Sequence, residues 1–275
     1  MTAPVSRDGS PSGTGPEASR AQMLPPAVRG IRASFVFLTR IPVGGFPYRK
    51  SDWTWAAAHA PFVGIVLGAI LGAIDRVLLP LGPLPAAVLA LGASLLLTGA
   101  FHEDGLADTS DALGGAHDKA RVLAILKDSR IGAFGGAALV FSLTARSVLL
   151  AQLGAGGLWA MPVVGCAARV GPIWLLAALP YVTSGPEAKS RELASGGTLQ
   201  AAVATSWFAA LMAIAIAMGC VSIVRAGWLA AVLFGVTALT GWRYMRRAGG
   251  ITGDFLGATE QIGEIAALAV LAWRA

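Results

Sequence analysis

Seven long apolar stretches, at 55–78, 83–101, 132–152, 157–179, 199–221, 226–243 and 255–273, dominate the chain. Each suits one helical crossing of a hydrocarbon core roughly 30 Å thick, which takes about 20 apolar residues. The alternation expected of β-barrel strands is absent. A shorter apolar piece, 31–45, is interrupted by Arg32 and Arg40 and predicts an interfacial or re-entrant helix rather than a span. The pattern therefore predicts an all-α fold. It is a polytopic transmembrane helical bundle of about seven spans plus a short N-terminal interfacial helix.

Residues 1–28 differ in kind: five prolines, many Ser and Gly, and no charged segment leading into an apolar one. They predict a disordered cytoplasmic tail, leaving 29–275 as a single integral membrane catalytic domain. Gly64, Gly68 and Gly72 form a small-residue stripe of the type that lets membrane helices approach closely. Trp53, Trp55, Trp159, Trp228, Trp242 and Trp273 fall near predicted span ends, as in an aromatic belt.

Composition sharpens this. Hydrophobic residues make up 55% and charged residues 13%, against about 25% charged in soluble domains. A chain so poor in charge cannot coat a water-facing globule. The net charge of +6 comes from scattered bases and scarce acids, with no basic face for nucleic acid. The two cysteines, Cys166 and Cys220, lie inside apolar stretches without metal or disulfide spacing.

The bases orient the bundle. With the N-terminus inside, the inner side holds Arg7, Arg20, Arg29, Arg32, Arg40, Arg49 and Lys50. It also holds Lys119, Arg121, Lys127, Arg130, Lys189, Arg191, Arg243, Arg246 and Arg247. The outer side keeps Arg76, Arg225 and Arg274. Such asymmetry predicts a multi-pass cell-membrane protein with a cytoplasmic N-terminus.

Acids gather in two places near that inner face. Six of the 15 lie between Glu103 and Asp128, and Asp254, Glu260 and Glu264 open the last span. If the first cluster is helical, Asp104, Asp108 and Asp111 fall at i, i+4 and i+7 on one face. Three carboxylates in a row suit a hard divalent cation, Mg²⁺ or Mn²⁺. A solvated helix with incidental acids and a proton or ion pathway are the alternatives. Lys127 and Arg130, read as three apart on one helical face, are candidates to clamp an anion, or else are inner-side bases. His102 beside the acids is a candidate general base. Glu260 and Glu264 are expected to face the interior, paired with Arg146, Arg169 or a metal, whereas Asp254 is the better ligand candidate. A cytoplasmic metal site flanked by bases suits phosphoryl transfer.

Five segments carry a resemblance: Leu38-Thr39-Arg40-Ile41-Pro42; Pro61-Phe62-Val63-Gly64; Thr98-Gly99-Ala100-Phe101-His102-Glu103-Asp104-Gly105-Leu106-Ala107-Asp108-Thr109-Ser110-Asp111; Lys127-Asp128-Ser129-Arg130-Ile131-Gly132; and Thr252-Gly253-Asp254 through Glu260. In order and spacing they resemble the cobalamin synthase (adenosylcobinamide-GDP ribazoletransferase) family over about residues 31–273. The resemblance implies a late step of cobalamin biosynthesis. Adenosylcobinamide-GDP and α-ribazole, or its 5′-phosphate, are joined to give adenosylcobalamin or its phosphate, with release of GMP and a requirement for Mg²⁺. For that reaction the two acid clusters lead us to expect Asp104, Asp108 and Asp111, joined by Asp254, as metal ligands, Lys127 and Arg130 as phosphate contacts, and Asp111 or His102 as proton acceptor. The lipid bilayer and other cobalamin-assembly enzymes are the implied partners, and nucleic acid is not among them. Glu103 stands where the family usually has an apolar residue, and Ala168 where a Ser commonly precedes the Arg. Two rivals are a CDP-alcohol-type phosphotransferase, whose motif has Arg where Asp108 stands, and an ion-coupled membrane transporter.

Overall fold

The computed structural model describes residues 24–44, 48–182 and 197–273. The bases Arg7, Arg20, Lys189, Arg191 and Arg274 lie outside the described residues, as do residues 1–23 of the expected tail. The described residues form twelve α-helices and no β-strand; one isolated bridge pairs Tyr181 with Ile251.

The chain opens with α1 (Pro26–Leu38) and α2 (Lys50–Ala58), followed by α3 (Ala60–Leu78) and α4 (Pro83–Thr98). Next come α5 (Phe101–Gly115), the short α6 (Lys119–Ile125) and α7 (Ala133–Leu153). Then follow α8 (Gly157–Ala168), α9 (Val170–Ala178), α10 (Thr198–Ala217), α11 (Ile223–Ala248) and α12 (Gly253–Ala272). Helix α1, with 13 residues, is too short to cross and overlaps the predicted interfacial piece, although it starts earlier, at Pro26.

Among the described residues five segments are long and apolar enough to cross a membrane: Ala60–Leu81, Ala133–Ala178, Thr198–Ala217, Ile223–Ala248 and Gly253–Ala272. They become six if α4 and α5 count as one bent span. The expected seven is thus not reached by length and composition. Two features account for this: α4, at 16 residues, rises only about 24 Å at 1.5 Å per residue, less than the hydrocarbon core, and the expected spans 132–152 and 157–179 run together as Ala133–Ala178.

Helix α4 stops because Gly99 turns left-handed (φ 70°, ψ 29°), and Ala100 follows at φ 57°, ψ 27°. A left-handed residue bearing a Cβ costs about 1–2 kcal/mol. Gly99, which has no Cβ and turns left-handed freely, and Ala100, which bears that cost, together swing α5 by 92° from α4. The sharp reorientation at this pair sets the direction of the helix that carries the acids.

Small residues hold the bundle together, as membrane helices require. The Gly64, Gly68 and Gly72 stripe of α3 lies directly on α8: a Cβ at Gly64 would stand 2.0 Å from the Gly165 carbonyl oxygen, and one at Gly68 2.2 Å from that of Met161. The packing role predicted for the stripe is what the structure shows. Helix α12 is the central element, packed by α5, α7, α8, α9 and α11. Its Gly257 meets the His102 backbone, and Gly105 of α5 meets the Asp254 backbone. This contact, made through two glycines, brings the two acid-bearing segments together.

Candidate active site

Helix α5 presents different chemistry on its two sides. Asp104, Asp108 and Asp111 fall within about 60° of one another at 100° per residue, so they share a face. Asp104 is exposed, and Asp108 and Asp111 are half-buried. Asp104, Asp254 and Asp111 all act electrostatically on Asp108, and Asp104 acts on Asp254. The predicted row is therefore real, and Asp254 at the start of α12 joins it. Among the described residues no arginine pairs with Asp104, Asp108 or Asp254; the paired arginines serve other acids.

Asp111 has a second task. Its Oδ2 accepts from the Gly132 backbone N–H at 2.6 Å and its Oδ1 from that of Gly135 at 2.8 Å. It thereby satisfies two of the orphan donors at the start of α7. Both glycines are required for this approach. A Cβ at Gly132 would stand 2.4 Å from Asp111 Oδ1, and one at Gly135 2.4 Å from its Oδ2. The Ile131-Gly132 end of the Lys127-Asp128-Ser129-Arg130 segment is thus tethered to the carboxylate row.

Lys127 and Arg130 are not on a helix. Helix α6 ends at Ile125, and both residues lie in the loop that leads to α7. The one-face reading of these two bases is corrected accordingly: a turn at 126–127 and irregular chain up to Gly132, which Asp111 tethers, replace the helical continuation. Arg130 instead grips Asp128, donating from Nε to Oδ1 at 3.0 Å and from its terminal nitrogen to Oδ2 at 2.7 Å. These charged hydrogen bonds hold the Asp128 carboxyl down at about 2. The guanidinium itself remains largely in solvent.

His102 is separated from the row. It lies two positions from Asp104, about 200° around the helix, and is buried with Nδ1 3.8 Å from Glu260 Oε2. A role as general base on the carboxylate face does not follow from this placement.

Glu103, Glu260 and Glu264 form a separate interior network. Arg146, 1% exposed, donates to Glu103 Oε1 at 3.0 Å and to Glu264 Oε2 at 2.8 Å. Arg169 lies 2.8 Å from Glu260 Oε1, an ion contact without hydrogen-bond alignment, and 3.5 Å from Glu264 Oε1. Gln261 donates to Glu260 Oε2 at 3.0 Å. The arginine pairing expected for the two α12 glutamates is present. Glu103, the acid at a normally apolar position, has a partner that sequence spacing could not reveal, because Arg146 lies 43 residues away.

Another role was not legible either. Arg247, counted in the sequence only as an inner-side base, donates to the carbonyls of Leu113 and Ala116. It satisfies the C-terminal end of α5, where a cation is electrostatically favoured.

An all-oxygen donor set from two helices, with no arginine to neutralise it, fits a hard divalent cation. Among the described residues no three such side chains converge closely enough to cage an ion alone. Mg²⁺ does not need such a cage, since it is usually held by one or two carboxylates together with substrate phosphates. The row can accordingly hold a cation whose remaining ligands come from a diphosphate.

The cobalamin-5-phosphate synthase family model matches residues 30–272. An adenosylcobinamide-GDP ribazoletransferase of Polaromonas sp. (strain JS666) is 39% identical over 276 residues, covering 87% of this chain and 94% of the relative. Its counterpart from Vibrio parahaemolyticus is 36% identical over 236 residues, covering 83% and 86%. That from Rhizobium johnstonii is 38% identical over 245 residues, covering 86% and 93%. No solved structure matches the chain. A match over nearly the whole described bundle, including both acid-bearing helices, places this chain in the cobalamin-5-phosphate synthase family.

Proposed function

We propose that this protein joins adenosylcobinamide-GDP to α-ribazole, or its 5′-phosphate, and releases GMP. The observation that carries the reading is the meeting of Asp104, Asp108 and Asp111 with Asp254 across the Gly105–Asp254 contact. The relatives that share this sequence bear the same activity in their names. On this reading the ribazole hydroxyl oxygen attacks the phosphorus that bears the cobinamide. The bond from that phosphorus to the bridging oxygen breaks, and GMP leaves with the bridging oxygen. Asp111, on the face of the row, takes the hydroxyl proton. Lys127 and Arg130 lie in the loop tethered to Asp111 and contact the phosphates.

Mg²⁺, held by Asp104, Asp108 and Asp254 with Asp111 beside them, would supply neutralisation of the diphosphate charge. Electrostatic stabilisation of this kind is the largest catalytic resource for phosphoryl transfer. The row faces the cytoplasm on this reading. Supporting it, Lys119, Arg121, Lys127 and Arg130 surround α6, and Arg243, Arg246 and Arg247 end α11. The bundle crosses seven times on the same reading, with α4 as a short crossing. Ala133–Ala178, at 46 residues, is about 69 Å long if straight and is broken at Gly154 (φ 51°), so it provides two.

The test is to incubate membranes containing the protein with adenosylcobinamide-GDP, α-ribazole and Mg²⁺ and to assay GMP. Wild type should release GMP only with both substrates present. Asp104→Asn and Asp108→Asn should each lower the rate at least 100-fold while inserting normally. Near-normal rates in either would remove the row from the chemistry.

A further inference from the structure

Helices α10 and α11 follow one another through residues 218–222, yet they do not pack along their lengths; α9 stands between them. Close approaches hold α9 against α11. A Cβ at Gly171 would stand 2.3 Å from Thr237 Oγ1, and one at Gly241 2.6 Å from Leu175 Cδ2. Over α9 the two helices leave an open groove of about 760 Å³, walled by Trp174, Phe208, Phe234 and Met245. It follows α11 from Ala230 to Met245, about 22 Å at 1.5 Å per residue. One leaflet holds only about 15 Å of hydrocarbon, half of the core, so the groove accepts a full acyl chain. Trp174 Nε1 donates to Thr205 Oγ1 at 2.9 Å and Thr237 Oγ1 to the Leu233 carbonyl at 2.8 Å. Neither donor is left for an occupant, which suits hydrocarbon.

A second groove, of about 470 Å³, lies on the other side of α11 against Leu106 and Leu113 of α5 and Ile262 of α12. Trp242 lines both grooves and stands between them, 56% exposed. Two arginines gather at this point. The Arg246 guanidinium lies over the Trp242 ring, 5.9 Å from its centroid, within cation–π range. Arg243 lines the second groove. Trp242, Arg246 and Arg243 share an arc of about 100° on the helix. Both arginines are exposed, and among the described residues neither is ion-paired. No acid lines either groove or lies on α10 or α11.

We propose that this end of α11 binds one anionic phospholipid. Its phosphate lies between Arg243 and Arg246 beside Trp242, and one acyl chain enters each groove. A basic side chain next to an anionic lipid surface contributes about fivefold in affinity. A second copy of the chain fits poorly here. An isologous contact repeats one patch on both partners. Docking through α11 would therefore set the arginines of one copy against those of the other, with no acid on either helix to neutralise them. The inference does not depend on the transferase chemistry.

The test uses the full chain in nanodiscs of equal phosphatidylglycerol and phosphatidylcholine, with retained lipid read by native mass spectrometry. Wild type should keep one phosphatidylglycerol, at least fivefold over phosphatidylcholine. Arg243→Gln combined with Arg246→Gln should bring that ratio below twofold. Arg76→Gln, which alters an exposed base in the last turn of α3, should leave it unchanged. Ala238→Phe fills the larger groove from an exposed position and should cut retained phosphatidylglycerol at least fivefold. An even ratio in wild type, an unchanged ratio in the double variant, or an equal fall in Arg76→Gln would overturn the proposal. So would retention indifferent to Ala238→Phe, or a lipid-free dimer that Ala238→Phe splits into monomers. Should Ala238→Phe fail to insert, the arginine variants, confined to exposed side chains, decide the matter.

Discussion

Replacing Arg146 by Met tests how the catalytic helix is held. Arg146 lies on α7 with its guanidinium sealed from solvent, 3.0 Å from Glu103 on α5 and 2.8 Å from Glu264 on α12. It ties α5 to both α7 and α12. In the native network three glutamates face two arginines, a surplus of one negative charge. Arg146→Met raises that surplus to three glutamates against one arginine, in a region where water cannot compensate. Removing one partner of a buried pair costs about 3–5 kcal/mol. With about 2–4 °C per kcal/mol for a chain of this size, the melting temperature should fall by roughly 6–20 °C. Adding Glu103→Gln restores the native surplus of one and should recover at least half of the loss, since a neutral replacement of a buried pair is often tolerated. Thermal melts in detergent, followed by tryptophan fluorescence, measure both. A single variant within about 2 °C of wild type, or a double no better than the single, would refute the account of a desolvated ion network.

Gly135→Ala places a Cβ 2.4 Å from Asp111 Oδ2 and 2.9 Å from the Ala107 carbonyl oxygen; it should cost about 1–3 kcal/mol and lower turnover more than Gly136→Ala, whose Cβ meets nothing within 4 Å, as GMP assays of the pair would show. Gly68→Leu drives a side chain into the Met161 backbone and should abolish stable folding, read as loss of the monodisperse peak in size-exclusion chromatography, whereas Gly92→Leu, facing open space, should be silent. The Asp128 carboxyl is held down to about 2 by its hydrogen bonds from Arg130. Its pairing therefore contributes fully above the unfolded value of about 3.9 and is lost as pH falls through about 2. Carbon-13 titration of Asp128 should show this low midpoint, and Arg130→Ala should move it back toward the ordinary range.

The periodicity of the acids was enough to place Asp104, Asp108 and Asp111 on one helix face, because helical spacing is a local property. Burial of Glu260 and Glu264 against arginines was equally legible, since an apolar chain cannot carry lone charges through its spans. The glycine stripe of α3 declared a close helix contact for the same local reason. Other features required the folded chain. A left-handed pair at Gly99 and Ala100 bends α5 away from α4, and sequence pattern had merged residues 83–101 into one span. The loop after α6 carries Lys127 and Arg130 because Asp111 captures the amides of Gly132 and Gly135, a contact spanning more than 20 residues.

What the sequence determined by itself is the membrane-embedded helical character, the acid row and the family. Those follow from composition, from a 3.6-residue repeat and from motif order, all of which act over short stretches of chain. Tertiary structure alone decided that Asp254, a ligand candidate by sequence, packs beside the α5 row, that Glu103 belongs to Arg146, and that His102 lies against Glu260 rather than on the face of Asp104, Asp108 and Asp111. Each of these depends on how closely α5 and α12 approach, and that distance is set by Gly105 and Gly257 lying against the backbone of the opposite helix.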